Sequence, residues 1–404
     1  MKKPRAKQPG LVSGYVAPGF ERVRVEFEQN LAERGELGGA VAAYWHGEKV
    51  VDLWGGRRGP DTDESWHEDT MVSVASTTKG LAAMTVAVAN ARGWLDYDAP
   101  IARYWPEFAQ HGKGTITVRQ LLAHEAGLVF LDEALTVDRM RNLDEIAELL
   151  ARQKPAWPPG SRRGYHAMTI GLYMQELIRH VDPQHRTLGR FFREEIATPL
   201  GLEFYIGLPH DMPASRLAVI KPMSRWRALA ALRNTPPLLI AKILAPNSLL
   251  RRSLILATMN PNDRSYLEIE VPAGNGVGTA RAIARAYSAF SEGGDELGIT
   301  PATFAQLTAP PPPATKDVII GSKSCFALGY MRPSAAYQFG SSARAFGTPG
   351  AGGSFGFADP DEHLGYAYVT NKLDFYLVDD PREKALRDAL YRAIRTTAAP
   401  ARAA

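Results

Sequence analysis

Cysteine is almost absent from this chain of 404 residues, which contains Cys325 alone. A single cysteine excludes an internal disulfide framework and is typical of proteins from a reducing compartment. The chain also lacks any run approaching the ~20 uncharged apolar residues that cross a bilayer. Its basic start, MKKPRAKQPG, has no apolar stretch behind it and so does not resemble a signal peptide. These absences predict a cytoplasmic protein.

Metal-binding and nucleotide-binding patterns are missing as well. Neither H-x-x-x-H nor H-E-x-x-H occurs among the nine histidines, and we expect no metal and no cofactor. The glycine-rich GNGVGT at 274–279 has no phosphate-binding lysine and is interpreted as a turn. His124, in LLAHE, is interpreted as a residue that caps the end of a helix.

Acidic residues are absent from Met212 to Asn262, although the net charge of the whole chain is only +4 and does not indicate a nucleic-acid partner. Apolar runs such as PLLIAKIL at 237–244 separate the basic residues of this segment, which are Arg216, Lys221, Arg225, Arg227, Arg233, Lys242, Arg251 and Arg252. A basic amphipathic segment can contact an anionic membrane or border an acyl pocket. It can also be a solvated helical excursion, and the pattern leaves these alternatives open.

Strand patterns lie at both ends of the chain and helical patterns in its middle. The strand patterns are 39–55 (a hairpin turning at His46-Gly47-Glu48), 327–331, 354–358 and 364–370. The helical patterns are Phe20–Arg34, the run from Ser76 to about Arg92, most of 115–200, and Pro381–Thr397 before an Ala-rich tail that should fray. This order predicts a discontinuous α/β domain, 1–95 and 265–404, with an inserted, mainly helical domain at 96–264. We expect the active site in the cleft between the two.

Two serine motifs compete for the role of nucleophile. GGSFG at 352–356 matches the G-x-S-x-G elbow of α/β-hydrolases, which requires a following helix and then an acid and a histidine. After Ser354 the next segment has a strand pattern, and His363 is the one histidine that remains. We therefore interpret Ser354 as structural.

STTK at 76–79 is the second motif and the chain's one S-x-x-K pattern. Residues three apart share a helix face, so Lys79 can reach the hydroxyl of Ser76. The apolar run LAAMTVAVA at 81–89 would remove water from the amine and lower its pKa, which would make it a base. A serine cap followed by an exposed lysine would have the same spacing, and position alone does not separate the two interpretations.

Tyr165 could complete such a site. It follows the glycine-bearing turn of PPGSRRGYHAMTIG, at 158–171, and precedes an apolar helical pattern. A phenol near Lys79 could relay a proton from the nucleophile to the leaving group. Taken alone, a tyrosine in this setting is more often a core residue.

Together these motifs resemble the serine β-lactamase-like fold, and in particular the family VIII carboxylesterases, which are related to class C β-lactamases and DD-peptidases. The resemblance covers nearly the whole chain, including LDYDAPIARYWP (95–106), LLAHEAGL (121–128), PAGNGVGTAR (272–281) and FGTPGAGGSFGFADP (346–360). It implies an α/β (α+β) fold of the β-lactamase/DD-peptidase type. A central antiparallel sheet would be flanked by helices and joined by an all-helical insertion.

The resemblance also implies roles for individual residues. Ser76 would be the acylated nucleophile, Lys79 its base and Tyr165 the second acid/base. The third motif of the family corresponds to Thr348-Pro349-Gly350, on the strand that borders the cleft. The oxyanion hole would consist of the backbone N–H groups of Ser76 and Ala351.

Two departures from the family pattern bear on the substrate. The tyrosine motif, which in β-lactamases ends in an asparagine that binds the substrate amide, is here Tyr165-His166-Ala167. The third motif begins with Thr348 where the family has lysine or, in esterases, often histidine. We therefore expect a serine carboxylesterase acting on small-molecule esters. An acyltransferase, a weak β-lactamase or D-aminopeptidase, and a catalytically weak binding or structural homologue stay open as alternatives.

Overall fold

The computed structural model describes residues 12–223, 245, 248–254, 259–374, 376 and 378–402. Much of the basic segment predicted at 212–262 therefore lies outside the described residues. In the part of the chain that is described, no helix has both the length and the apolar character needed to cross a membrane.

An eight-stranded antiparallel sheet forms the centre of the molecule, in the order β1-β3-β2-β13-β12-β11-β10-β9. A three-stranded sheet (β4-β6-β5) and a two-stranded sheet (β7-β8) accompany it. The strands are β1 Val12–Val16, β2 Gly38–Trp45, β3 Glu48–Gly56, β4 Val72–Ser73, β5 Phe204–Tyr205, β6 Val277–Gly278, β7 Thr315–Lys316, β8 Lys323–Ser324, β9 Phe326–Ala327, β10 Tyr330–Met331, β11 Phe346–Pro349, β12 Phe355–Asp359 and β13 Leu364–Thr370. The predicted hairpin is confirmed as β2 and β3, whereas the predicted strand 327–331 is divided between β9 and β10 by a turn.

Helices cover the sheet and fill the middle of the sequence. The α-helices of the described residues are α1 Glu21–Ala32, α2 Thr78–Ala91, α3 Val118–Leu122, α4 Val137–Met140, α5 Leu143–Arg152, α6 Thr169–Val181, α7 Leu188–Phe192, α8 Leu249–Leu254, α9 Arg264–Glu268, α10 Ala280–Ser291, α11 Pro301–Thr308 and α12 Pro381–Arg402. Helix α12 continues past its predicted end at Thr397 to Arg402.

Alternation along β13 shows how the sheet separates two hydrophobic cores. Tyr366 and Tyr368 face one core, which includes residues of α1 and α12, while Ala367 and Val369 face the other, which includes residues of α2, α6 and α10. Successive side chains of a strand point to opposite faces, so a strand covered on both sides is apolar throughout. The observed sheet and helix layers confirm the predicted α+β class.

The three-stranded sheet places the start of α2. Strand β4 pairs with β6, and the N–H of Val74, just after β4, donates to the carbonyl of Gly276 at 3.0 Å. A 3₁₀ turn over Ala75–Thr77 then leads directly into α2. All residues of α2 from Thr78 to Ala89 are buried. The chain therefore enters the core at the S-x-x-K motif.

Candidate active site

Ser76 lies in the 3₁₀ turn between β4 and α2 and is half-buried. The residue before it, Ala75, has a φ of 47°, in the left-handed region that non-glycine residues rarely adopt. Such a conformation costs roughly 1–3 kcal/mol and persists where the surrounding structure imposes it. The conformation of this turn therefore fixes the position of Ser76 between Ala75 and Thr77.

Lys79 lies one turn further on with its amine at that hydroxyl. Its Nζ is 2.9 Å from Ser76 Oγ and donates to the carbonyl oxygen of Ala273 at 2.6 Å. The side chain is 2% exposed, and this burial lowers the pKa of Lys79 to about 7. At neutral pH a large fraction of the amine is therefore uncharged and can accept the hydroxyl proton of Ser76.

Tyr165 approaches the same hydroxyl with its phenol. Its O–H donates to Ser76 Oγ at 3.0 Å, and Lys79 Nζ lies 5.1 Å from the centre of its ring. Desolvation raises the pKa of Tyr165 to about 12, so the phenol keeps its proton at neutral pH. Burial thereby moves the two pKa values apart, which suits Lys79 to accept a proton and Tyr165 to donate one.

A buried histidine pair packs behind Tyr165. The N–H of Leu128 donates to His166 Nε2 at 3.0 Å, which places the proton of His166 on Nδ1, 3.1 Å from His124 Nδ1. Burial lowers the pKa of both imidazoles, that of His166 to about 3, so both rings are neutral. His124 follows the end of α3 as expected, but its ring is buried 5.0 Å from that of Tyr165. The pair and the stacked ring of Phe326 restrict the movement of the phenol.

Ser354, the competing serine, is buried beneath the turn that carries Ser76. Its Oγ donates to the carbonyl of Val74 at 2.8 Å and accepts a hydrogen bond from Thr77 Oγ1 at 3.1 Å. Gly350 allows this close approach, because a Cβ there would come within 2.4 Å of both Ser354 Oγ and Val74 O. Ser354 therefore joins the β11–β12 loop to the residues on either side of Ser76, in agreement with its structural interpretation.

The other residues predicted from the third motif lie on the same strand and loop. Thr348 belongs to β11, and its uncharged side chain is buried beside the phenol of Tyr287. Ala351 lies at the exposed tip of the loop. Their assignment to substrate binding and to the oxyanion hole stays a prediction.

Sequence reasoning missed two further contacts that complete this arrangement. The acceptor for Lys79, Ala273 O, lies in PAGNGVGTAR, which the resemblance singled out without assigning the carbonyl a role. Arg382 donates to the carbonyl of Gly352 at 3.0 Å and so fixes the β11–β12 loop from behind. No local sequence pattern predicts either contact, because each one joins residues that are far apart in the chain.

Comparison with known proteins identifies the family of the chain. The model of the Beta-lactamase family matches residues 24–390. The esterase/beta-lactamase LipL of Mycobacterium tuberculosis is 34% identical over 396 residues, which are 97% of this chain and 90% of LipL.

Two solved structures extend the comparison to the fold. The crystal structure of a family VIII carboxylesterase superposes with a TM-score of 0.84 at 34% identity, covering 95% of this chain and 100% of that one. A penicillin-binding protein homologue from Caulobacter crescentus superposes with a TM-score of 0.81 at 35% identity, with coverage of 95% and 100%. The chain therefore belongs to the Beta-lactamase family and has its fold.

Proposed function

We propose that this chain is a serine carboxylesterase that hydrolyses small neutral esters through a covalent acyl-enzyme on Ser76. The observation that carries the proposal is the buried amine of Lys79, with a pKa of about 7, lying 2.9 Å from the Ser76 hydroxyl. The esterases among its relatives of the same family support the hydrolase class.

Acylation begins when Lys79 accepts the proton of Ser76 and Oγ attacks the ester carbonyl carbon. A new O–C bond forms, and the carbonyl oxygen takes up negative charge that the N–H groups of Ser76 and Ala351 would stabilise. The bond to the alcohol then breaks. Tyr165 gives its proton to the departing alkoxide and regains one from the Lys79 ammonium.

Deacylation uses the same groups in reverse. The Tyr165 phenol accepts a proton from a water molecule while it passes its own proton to the Lys79 amine, and the water oxygen attacks the acyl carbon. The bond to Ser76 breaks, the carboxylic acid is released and Ser76 Oγ recovers its proton. Both half-reactions need a neutral amine and a protonated phenol, and the pKa shifts caused by burial favour these forms of Lys79 and Tyr165.

Neutral esters are expected to react far better than β-lactams. Ala167 offers no side-chain amide for a substrate, and Thr348 offers no cation for a substrate carboxylate. A hydrogen bond to a charged group contributes about 1.5–3 kcal/mol and a neutral one about 0.5–1.5 kcal/mol. Because both are missing here, we expect kcat/KM for nitrocefin to fall about 100-fold below that for p-nitrophenyl acetate. Both rates are measured spectrophotometrically on one enzyme preparation, with Ser76→Ala as the blank. Comparable turnover of the two substrates would assign the site to β-lactams as well.

Ester hydrolysis is expected to increase with pH and to level off above about pH 7. Below the lowered pKa of Lys79, about 7, the amine is protonated and has no lone pair to accept a proton. Each pH unit below that value therefore reduces kcat/KM by about tenfold. The phenol of Tyr165, with its pKa raised to about 12, does not lose its proton in this range.

The profile is recorded from about pH 5 to about pH 9, with a substrate that carries no titrating group. Full recovery of activity after return to neutral pH is the control against acid unfolding. A profile that is flat across this range would show that Lys79 is not the base.

A further inference from the structure

Two histidines and a glutamate from distant parts of the chain meet at one end of the central sheet. The ligand atoms of His46, Glu292 and His363 all lie within 4.8 Å of one another. The imidazole rings of His46 and His363 are stacked with their centres 4.8 Å apart, and His363 Nδ1 is 2.9 Å from Glu292 Oε2. The mechanism proposed for Ser76 uses none of these three side chains.

The sheet register fixes the two histidines next to each other. Trp45, the last residue of β2, pairs with Leu364, the first residue of β13. The N–H of His46 donates to the carbonyl of His363 at 2.8 Å, which ties the β2–β3 turn to the β12–β13 turn. Glu292 follows the last residue of α10, a helix that packs on β2 and β13. The backbone thus brings the three side chains together at one end of the sheet.

Imidazole nitrogen and carboxylate oxygen are suitable ligands for zinc and related divalent ions. Tetrahedral Zn²⁺ holds such atoms at about 2.0–2.1 Å, which corresponds to about 3.3 Å between neighbouring ligands. The 2.9 Å between His363 Nδ1 and Glu292 Oε2, which is a hydrogen-bond distance, is already close to that value. His46 is exposed and can close the remaining gap by side-chain rotation. Water would occupy the fourth position.

We propose that His46, Glu292 and His363 bind one divalent transition-metal ion, with Zn²⁺ as the principal candidate. The ion would join the β2–β3 turn, the β12–β13 turn and the end of α10. Because β11 and β12 are antiparallel, with Pro349 opposite Phe355, the β12–β13 turn lies at the end of the sheet away from the Gly350 loop. The ion would accordingly stabilise the folded chain without taking part in ester hydrolysis.

The test is titration calorimetry of the full chain, without an appended histidine tag, with ZnCl₂. We expect one binding event per chain and, at saturating Zn²⁺, a rise of about 2–4 °C in the thermal unfolding midpoint. His363→Asn and Glu292→Gln should remove or severely weaken both effects. Asparagine is chosen because it tolerates the left-handed backbone of residue 363, where φ is 51°.

His210→Asn is the matched control. His210 is also exposed and its Nδ1 lies 2.9 Å from a carboxylate, Glu268 Oε1, but it forms part of no such three-ligand group among the described residues. This variant should bind Zn²⁺ as the unchanged chain does, and all variants should hydrolyse p-nitrophenyl acetate normally. No binding to the unchanged chain, or equal binding to the variant at residue 363, would overturn the proposal.

Discussion

Ser76→Ala is expected to abolish ester hydrolysis, with kcat falling by about 10⁴-fold or more. The substitution removes the Ser76 hydroxyl, which lies within hydrogen-bond distance of both the Lys79 amine and the Tyr165 phenol. Without that oxygen no acyl-enzyme can form, and the remaining polar groups have no nucleophile to activate. Initial rates with p-nitrophenyl acetate and labelling by a fluorophosphonate probe measure the two consequences, and both signals should disappear.

Ser354→Ala is the matched control for this experiment. It removes hydrogen bonds to Val74 and Thr77 that position the turn around Ser76, but it leaves the side chains of Ser76, Lys79 and Tyr165 in place. We expect a folded protein that is labelled by the probe and has kcat reduced by about tenfold, corresponding to about 1.4 kcal/mol. The reverse result, with Ser354→Ala inactive and Ser76→Ala active, would move the active site to the G-x-S-x-G motif.

Lys79→Met is expected to reduce kcat by about 10³-fold while the protein stays folded. Methionine occupies a similar volume and replaces a desolvated amine with an apolar group, so burial at this position becomes less costly. The lost activity follows from the absence of a base for Ser76. Steady-state rates measure the effect, and the residual activity should no longer show the transition near the pKa of Lys79, about 7.

Lys113→Met separates the loss of a base from the loss of a buried lysine. Lys113 is also fully buried, burial lowers its pKa to about 8, and its Nζ donates to the carbonyls of Ala151 and Gln153 at 2.6 and 2.7 Å. Its replacement leaves two acceptors unpaired, at about 1–3 kcal/mol each, and should lower the unfolding midpoint with little change in kcat. If Lys79→Met retained activity comparable to that of Lys113→Met, Lys79 would not be the base.

The sequence was informative where function depends on neighbouring residues. The spacing of Ser76 and Lys79 and the apolar run behind them predicted both the contact and the direction of the pKa shift, because helical spacing and burial are local properties. The hairpin at 39–55 and the strand at 364–370 were likewise predicted from alternation and turn residues.

Contacts between distant segments could not be predicted in this way. The carbonyl of Ala273 that holds Lys79, the His124–His166 pair behind Tyr165 and the cluster at His46 each depend on sheet register and on loop paths. The search for H-x-x-x-H motifs could not detect ligands contributed by separate turns. The division into 1–95, 96–264 and 265–404 and the cytoplasmic location stay predictions.

The pairing of β2 with β13 has a consequence for biosynthesis. Strand β2 can pair with β3 as soon as that strand is synthesised, but its partner on the other side, β13, is synthesised much later. The turn that carries Ser76 also depends on a later segment, since the carbonyl of Val74 accepts its hydrogen bond from Ser354. Long-range pairings of this kind close slowly, and an unpaired strand edge invites aggregation. A nascent chain should therefore depend on chaperone protection until β13 has been synthesised, and the onset of catalytic turnover should report that β12 and β13 have docked.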